Sequence, residues 1–318
     1  MSEKPPIPLP VILGPTGSGK SDLSISLARA IGGEIVNYDS MQVYRGFDVG
    51  TAKLAPSERQ GVPHHMLDIV EPSALFTAGD YARAAETTIG EISSRGRTPV
   101  LVGGTGFYLR ALLEGLSPGP ARDRSLRARL LSREQKRPGS LHRILARLDP
   151  VSARRIHPND KTKTLRALEV RLLEGLSLTS TFERGRLSLR GFMPVKIGLN
   201  PPRDLLYARL NERARRMFHP EASERSLPEE VRRLLAAGLA SDAKPFEALG
   251  YKQALRMLAG QLTEEQAIES TQQETRRYAK RQMTWFRKEP GVHWMSGFGD
   301  DPRVQTEALA LLRGVLAN

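Results

Sequence analysis

The 318-residue sequence has no cysteine. Neither a disulfide nor a thiolate-held zinc site can therefore form, which fits a reducing compartment. It also lacks any apolar run long enough to cross a bilayer, and its mean hydropathy is -0.38. Val11-Ile12-Leu13 is too short for the hydrophobic part of a secretion signal, and the residues before it are proline-rich rather than basic. There is no internal repeat and no low-complexity tract. These absences predict a cytoplasmic protein with no membrane partner. The hydrophobic content of 39% suffices for a core, and the length allows one large domain with an insertion or two domains. Lys and Arg number 48 against 35 Asp and Glu, a net charge of +13. That balance points to a polyanionic partner, with a general bias toward arginine as the plainer reading.

The most informative stretch is Gly14-Pro15-Thr16-Gly17-Ser18-Gly19-Lys20-Ser21, which follows the apolar run Val11 to Leu13 and precedes a helical pattern. This is G-x-x-x-x-G-K-S between a buried strand and a helix, the setting a phosphate loop needs. The glycines let successive N–H groups turn into one concavity, and the helix N-terminus adds partial positive charge. Lys20 offers a mobile cation and Ser21 a hydroxyl suited to Mg²⁺. Thr16 and Ser18 either brace the turn or donate to phosphate. A diphosphate or triphosphate is expected here; the loop does not say which.

Leu23, Ile25, Leu27 and Ile31 mark the first helix, stopped by Gly32-Gly33. A strand over Glu34 to Tyr38 delivers Asp39-Ser40-Met41-Gln42-Val43-Tyr44 at its C-terminal end, where open α/β sheets bind ligands. Residues 50–68 read as long loops over the site. A helix over 79–95 and a buried strand over Pro99 to Val102 follow, then Gly103-Gly104-Thr105 and another helix. Alternation of this kind predicts a parallel sheet flanked by helices. Residues 122–175 are Arg-rich with helical periodicity and no strand. The β pattern returns over Met193 to Leu199, and capping boxes at Ser226 and Thr263 open later helices, the second reaching about Lys288.

Asp39 has three readings: a Mg²⁺ partner, a general base, or an N-cap. Gln42 and Tyr44 beside it favour substrate contact, since an amide reads hydrogen-bonding edges and a phenol ring stacks on bases. Gly103-Gly104-Thr105 serves equally as a turn or as a site. Adjacent His64 and His65 are unsuited to one metal ion. Of Arg203, Arg209, Arg213, Arg215 and Arg216, one or two near the start of their helix would reach the phosphate loop. In the last long helix Ala279, Met283 and Phe286 form an apolar stripe, beside Arg277, Lys280, Arg281 and Lys288 with Tyr278 and Trp285 interleaved, a face compatible with RNA phosphates.

Six ordered segments together resemble bacterial tRNA dimethylallyltransferase: Gly14 to Ser21, Asp39 to Tyr44, Gly50-Thr51-Ala52-Lys53, Pro63 to Asp68, Gly103 to Tyr108, and Ala279 to Arg287. The resemblance runs from about residue 10 to residue 295. It implies an α/β, P-loop kinase-like core in two parts, residues 1–117 and 191–318, with a helical insertion at 118–190 that grips the tRNA anticodon stem-loop. The implied reaction moves a dimethylallyl group from dimethylallyl diphosphate to N6 of the adenosine 3′ of the anticodon, in tRNAs that read codons starting with U. The implied protein is a monomer that uses Mg²⁺ at Ser21. By the match, Asp39, Lys20 and Arg213 are catalytic, and the whole loop (Gly14, Pro15, Thr16, Gly17, Ser18, Gly19, Lys20, Ser21) holds the diphosphate. Asp39, Ser40, Met41, Gln42, Thr105, Arg127, Thr162, Lys163, Thr164, Leu165 and Arg166 fall where the family contacts tRNA.

There are departures. The family often has Thr where Ser21 stands, which keeps the hydroxyl. Thr162 to Arg166 replaces a stretch that commonly reads Gln-Arg-Ile-x-Arg; two charges survive, but the amide is lost. The zinc-finger extension of eukaryotic members is absent. A P-loop small-molecule or nucleoside kinase would share the core and predicts nucleotide turnover. A GTPase-like RNA-binding module would need an N-K-x-D guanine signature, which the sequence lacks.

Overall fold

The computed structural model describes residues 6–116, 119–120, 122–177, 189–220 and 225–316. The chain forms two compact units, one running to Leu113 and resuming at Leu189, the other made of the residues between.

The larger unit is built on a six-stranded, all-parallel sheet. Its strands are β1 (Ile7–Leu13), β2 (Gly33–Asn37), β3 (His64–His65), β4 (Thr98–Val102), β5 (Phe192–Leu199) and β6 (Val292–Met295), in the order β3-β2-β4-β1-β5-β6. The central strands are apolar on both faces, as a sheet covered on both sides requires. Leu9, Val11 and Leu13 of β1 pack with Tyr81, Ile89 and Phe286, while the alternate Ile12 packs with Leu23 and Leu27. The first layer belongs to α2 (Ala78–Ser94) and α3 (Gly106–Leu113), the second to α1 (Lys20–Ile31) and, at the chain's end, α12 (Pro302–Leu316).

Two strands were not expected. β3 lies in the stretch read as loop, held at the sheet edge by only two residues paired with β2. β6 is four residues long and pairs with β5, too short to show an alternating pattern. Both His side chains are satisfied in place: His65 Nε2 meets the buried Glu34 at 2.7 Å and His64 Nδ1 meets the Val62 carbonyl at 2.8 Å.

Beyond β5 come α8 (Arg203–Phe218), α9 (Leu227–Ala236), α10 (Tyr251–Leu258) and α11 (Glu264–Phe286). Ser226 and Thr263 both form the expected capping boxes. This group packs on Val43, Tyr44 and Phe47 and so encloses the chain after β2.

The smaller unit holds α4 (Arg124–Lys136), α5 (Ser140–Leu148), α6 (Pro150–Arg155) and α7 (Lys161–Glu174) around Leu126, Leu141, Leu145, Leu165 and Leu168. Asp123, Asp149 and Asp160 cap α4, α6 and α7 through their side chains, which compensates for short, strongly charged helices.

Candidate active site

The phosphate loop leaves β1 at Gly14 and enters α1 at Lys20. Gly19 is the N-cap at φ 81°, a left-handed conformation, and an added Cβ there would lie 2.7 Å from the Gly299 nitrogen. That nitrogen donates to the Ser18 carbonyl at 2.8 Å, so the turn before α12 backs the loop. Lys20 Nζ donates to the Pro15 carbonyl at 2.8 Å. Burial pulls the Lys20 ammonium down to about 8; Asp39 opposes that shift and Arg213 adds to it.

At the end of β2 the Asp39 carboxylate accepts from the Met41 N–H at 2.9 Å, and Ser40 N–H donates to Thr105 Oγ1 at 3.0 Å. Asp39 thus closes a turn and caps no described helix, and it lines a cavity with Lys20 and Ser21. Gln42 lines it too, its Nε2 donating to the carbonyls of Thr51 and Ala52. Tyr44 differs from expectation. It is 2% exposed, packed in the core beneath α9 and α10, and cannot stack on a base. Lys53 is equally inward: its ammonium meets the Tyr44 carbonyl, Asp48 and Asp68 within 2.9 Å, knotting together three of the sequence segments around the site.

Two cavities meet here. One, of about 300 Å³, lies over the loop and includes Lys20, Ser21, Gly103, Gly104 and Arg209. The other, of about 280 Å³, has an apolar wall of Leu210, Met217 and Leu249. Thr16, Asp39, Thr51, Arg213 and Tyr278 line both. Burial, then the Asp39 charge, push the Tyr278 phenol well up, so it stays a neutral hydrogen-bonding group.

The arginine expectation needs correcting. Those reaching the loop are not at the start of α8, where Arg203 lies over Tyr207. Arg213, one turn from the end, donates to Thr16 Oγ1 at 3.2 Å. Burial lowers its pKa and Asp39 counters. Arg209 makes a two-point pair with Asp300 at 2.9 and 3.0 Å. Gln282 went unread. The buried stripe of α11 runs Thr271, Thr275, Ala279, Gln282, Phe286, and Met283 is only half-buried. The signal was available: Gln282 sits three residues after Ala279 and four before Phe286, at core spacing.

The sequence model of the IPP transferase family matches residues 42–289. The chain belongs to the IPP transferase family. A tRNA dimethylallyltransferase of Solibacter usitatus is 56% identical over 95% of this chain and 97% of its own length. One of Geobacter sulfurreducens is 48% identical over 90% and 91%. Among solved structures, the full-length tRNA isopentenylpyrophosphate transferase of Bacillus halodurans is similar with a TM-score of 0.71 and 38% identity, over 98% of this chain and 97% of that one. A eukaryotic dimethylallyltransferase acting on tRNA gives a TM-score of 0.79 at 29% identity, over 97% and 78%. These likenesses make the fold of this IPP transferase family member P-loop kinase-like. No described helix is long and apolar enough to cross a membrane.

The smaller unit of this IPP transferase family chain carries the remaining expected residues. Arg127 pairs at 2.8 Å with Glu169, which is wholly buried, and Arg166 lies 3.8 Å from the same carboxylate. Thr164 and Leu165 face the helical core, at 1% and 6% exposure, so their side chains are closed to RNA. Thr162 and Lys163 are exposed.

Proposed function

We propose that the chain transfers a dimethylallyl group from dimethylallyl diphosphate to N6 of the adenosine 3′ of the anticodon, in tRNAs that read codons starting with U. The observation that carries this reading is the meeting of the two cavities at Asp39 and Arg213. A phosphate pocket opening onto an apolar-walled pocket suits a diphosphate ester with a hydrocarbon group, and the shared rim is where the two substrates would touch.

N6 of adenine is a poor nucleophile, because its lone pair is delocalised into the ring. As N6 forms a bond to C1 of the allyl group, the C1–O bond breaks and its electron pair leaves on the diphosphate. Asp39 takes the N6 proton. Lys20, the loop N–H groups and Arg213 stabilise the departing charge. Arg213 Nε, buried and without a hydrogen-bond partner among the described residues, is a donor free for that purpose. The adenine leaves the anticodon-loop stack to reach Asp39, as bases do in other modifying enzymes.

Oxygen donors suited to Mg²⁺ line the loop cavity: the Ser21 hydroxyl with the carboxylates of Asp22 and Asp39. Among the described residues no group of three or more His, Asp or Glu could hold a metal unaided. An ion held by Ser21 would therefore share its coordination with diphosphate and water, and when bound it would neutralise phosphate charge. The helical unit, with Arg127, Thr162, Lys163 and Arg166, grips the anticodon stem-loop through phosphates. The protein works as a cytoplasmic monomer.

The test is incubation with unmodified tRNA and labelled dimethylallyl diphosphate, without ATP. Label in tRNA, mapped to N6 of that adenosine, is the expected result. ATP-dependent phosphorylation with no label in tRNA would instead favour the kinase reading.

A further inference from the structure

Gln282 is 5% exposed, an unusual burial for a primary amide, and both ends of that amide are occupied across great sequence distance. Its Oε1 accepts from the Thr16 N–H at 2.8 Å, and its Nε2 donates to the Gly104 carbonyl at 2.9 Å. The orientation is forced. Turned over, the amide would set N–H₂ against the Thr16 N–H and oxygen against the Gly104 carbonyl. The approach is also close: a Cβ added at Gly104 would lie 2.3 Å from Nε2, so only glycine leaves room for this contact.

The bonds on either side extend the connection. From Gly104 the backbone passes to Thr105, whose Oγ1 receives the Ser40 N–H next to Asp39. From Thr16 the hydroxyl receives Arg213. One continuous path therefore joins the proton acceptor to the guanidinium facing the leaving group; Gln282 bridges its two halves, and Tyr278 of the same helix hydrogen-bonds both Thr105 and Gln282 beside it.

We infer that Gln282 is a positioning residue for the transfer reaction, fixing the phosphate loop and the Asp39 turn at the separation that in-line attack needs. The inference rests on the proposed reaction. Gln282 adds no charge and takes no proton. Its effect is on the geometry of two groups that must act on opposite sides of one carbon, where a displacement of about 1 Å can cost about 100-fold in rate.

The test uses Gln282→Met, which keeps the length and removes both bonds, Gln282→Glu, which keeps the acceptor for Thr16, and Gly104→Ala, which displaces the amide from the opposite side. Single-turnover transfer rates would be measured from pH 5.5 to 8.5 beside the wild type, with dissociation constants for tRNA and inorganic diphosphate. Expected are losses of about 10- to 100-fold in rate for Gln282→Met and Gly104→Ala, with both dissociation constants close to wild type. For Gln282→Glu the rate relative to wild type should recover as pH falls, because the protonated carboxyl regains a donor for the Gly104 carbonyl. Burial beside Asp39 raises the pKa of that introduced group and brings the recovery into range.

An active wild type with all three variants at its rate overturns the inference alone. So does a loss in which rate and both affinities fall together, with no pH recovery for Gln282→Glu. A wild type that leaves tRNA unlabelled overturns the proposed reaction and the inference with it.

Discussion

Arg213 and Thr16, separated by 197 positions in sequence, are joined by a 3.2 Å hydrogen bond from guanidinium to hydroxyl. The bond fixes a cation of α8 against the phosphate loop before any anion arrives, so little reorganisation is left for the reaction itself.

Arg213→Ala should therefore slow chemistry far more than binding of tRNA. Loss of a fixed donor to developing charge typically costs about 10²- to 10³-fold. Single-turnover transfer at saturating substrates measures it, and Arg213→Lys should recover only part of the rate, since a point charge cannot both bond Thr16 and face the diphosphate.

Asp39→Asn separates proton acceptance from turn closure. The amide oxygen can still accept from Met41 N–H, so thermal unfolding should be unchanged, while transfer falls by about 10²- to 10⁴-fold. Filter binding of tRNA should be retained.

The Lys20 ammonium, drawn down to about 8 chiefly by burial, gives the site a basic limb. In the folded chain the charge is lost as pH rises through about 8, so affinity for inorganic diphosphate should weaken above that value. The unfolded chain, titrating near 10.5 at this residue, holds more protons between the two values, and the linkage slope makes the folded state gain stability with pH across that window. Titration calorimetry and thermal unfolding from pH 7 to 10 read the two effects, and Lys20→Met should remove both.

Glu169 sits wholly buried beneath Arg127 in the helical unit. Glu169→Ala leaves a guanidinium without its counter-charge and should cost about 3 kcal/mol, toward the lower end for a broken buried pair because Arg127 keeps some water contact. Faster proteolysis within residues 124–174 and weaker tRNA binding check this, while the dissociation constant for inorganic diphosphate should stay the same.

Much of this was legible in the residues. The phosphate loop, the β2 and β4 strand ends and the capped helices carry strong local signals: glycines at fixed offsets, short apolar runs, and Ser or Thr three residues before Glu or Gln. What escaped depends on long-range packing. Tyr44 was read as a stacking ring because it neighbours Asp39 in sequence, but α9 and α10 close over it. Thr164 and Leu165 lie in a segment that falls where the family contacts tRNA, yet helical geometry turns them to the core. Gln282 does not stand out in sequence, because an amide at core spacing looks like an interruption of an apolar stripe, and its two partners lie 266 and 178 residues away. β3 and β6 are too short to announce themselves without the neighbours that pair with them.

The turn at Gly297 to Asp301, which seats Gly299 against Ser18 and Asp300 against Arg209, gives the order of synthesis a consequence. The phosphate loop leaves the ribosome about 280 residues ahead of the turn that forms its outer wall. A nascent chain halted before residue 299 would carry the whole loop sequence without the backing that shapes it. Capacity to hold diphosphate should thus arise abruptly, once the turn at Gly297 to Asp301 has emerged, and chains halted short of it would not compete for the allylic substrate.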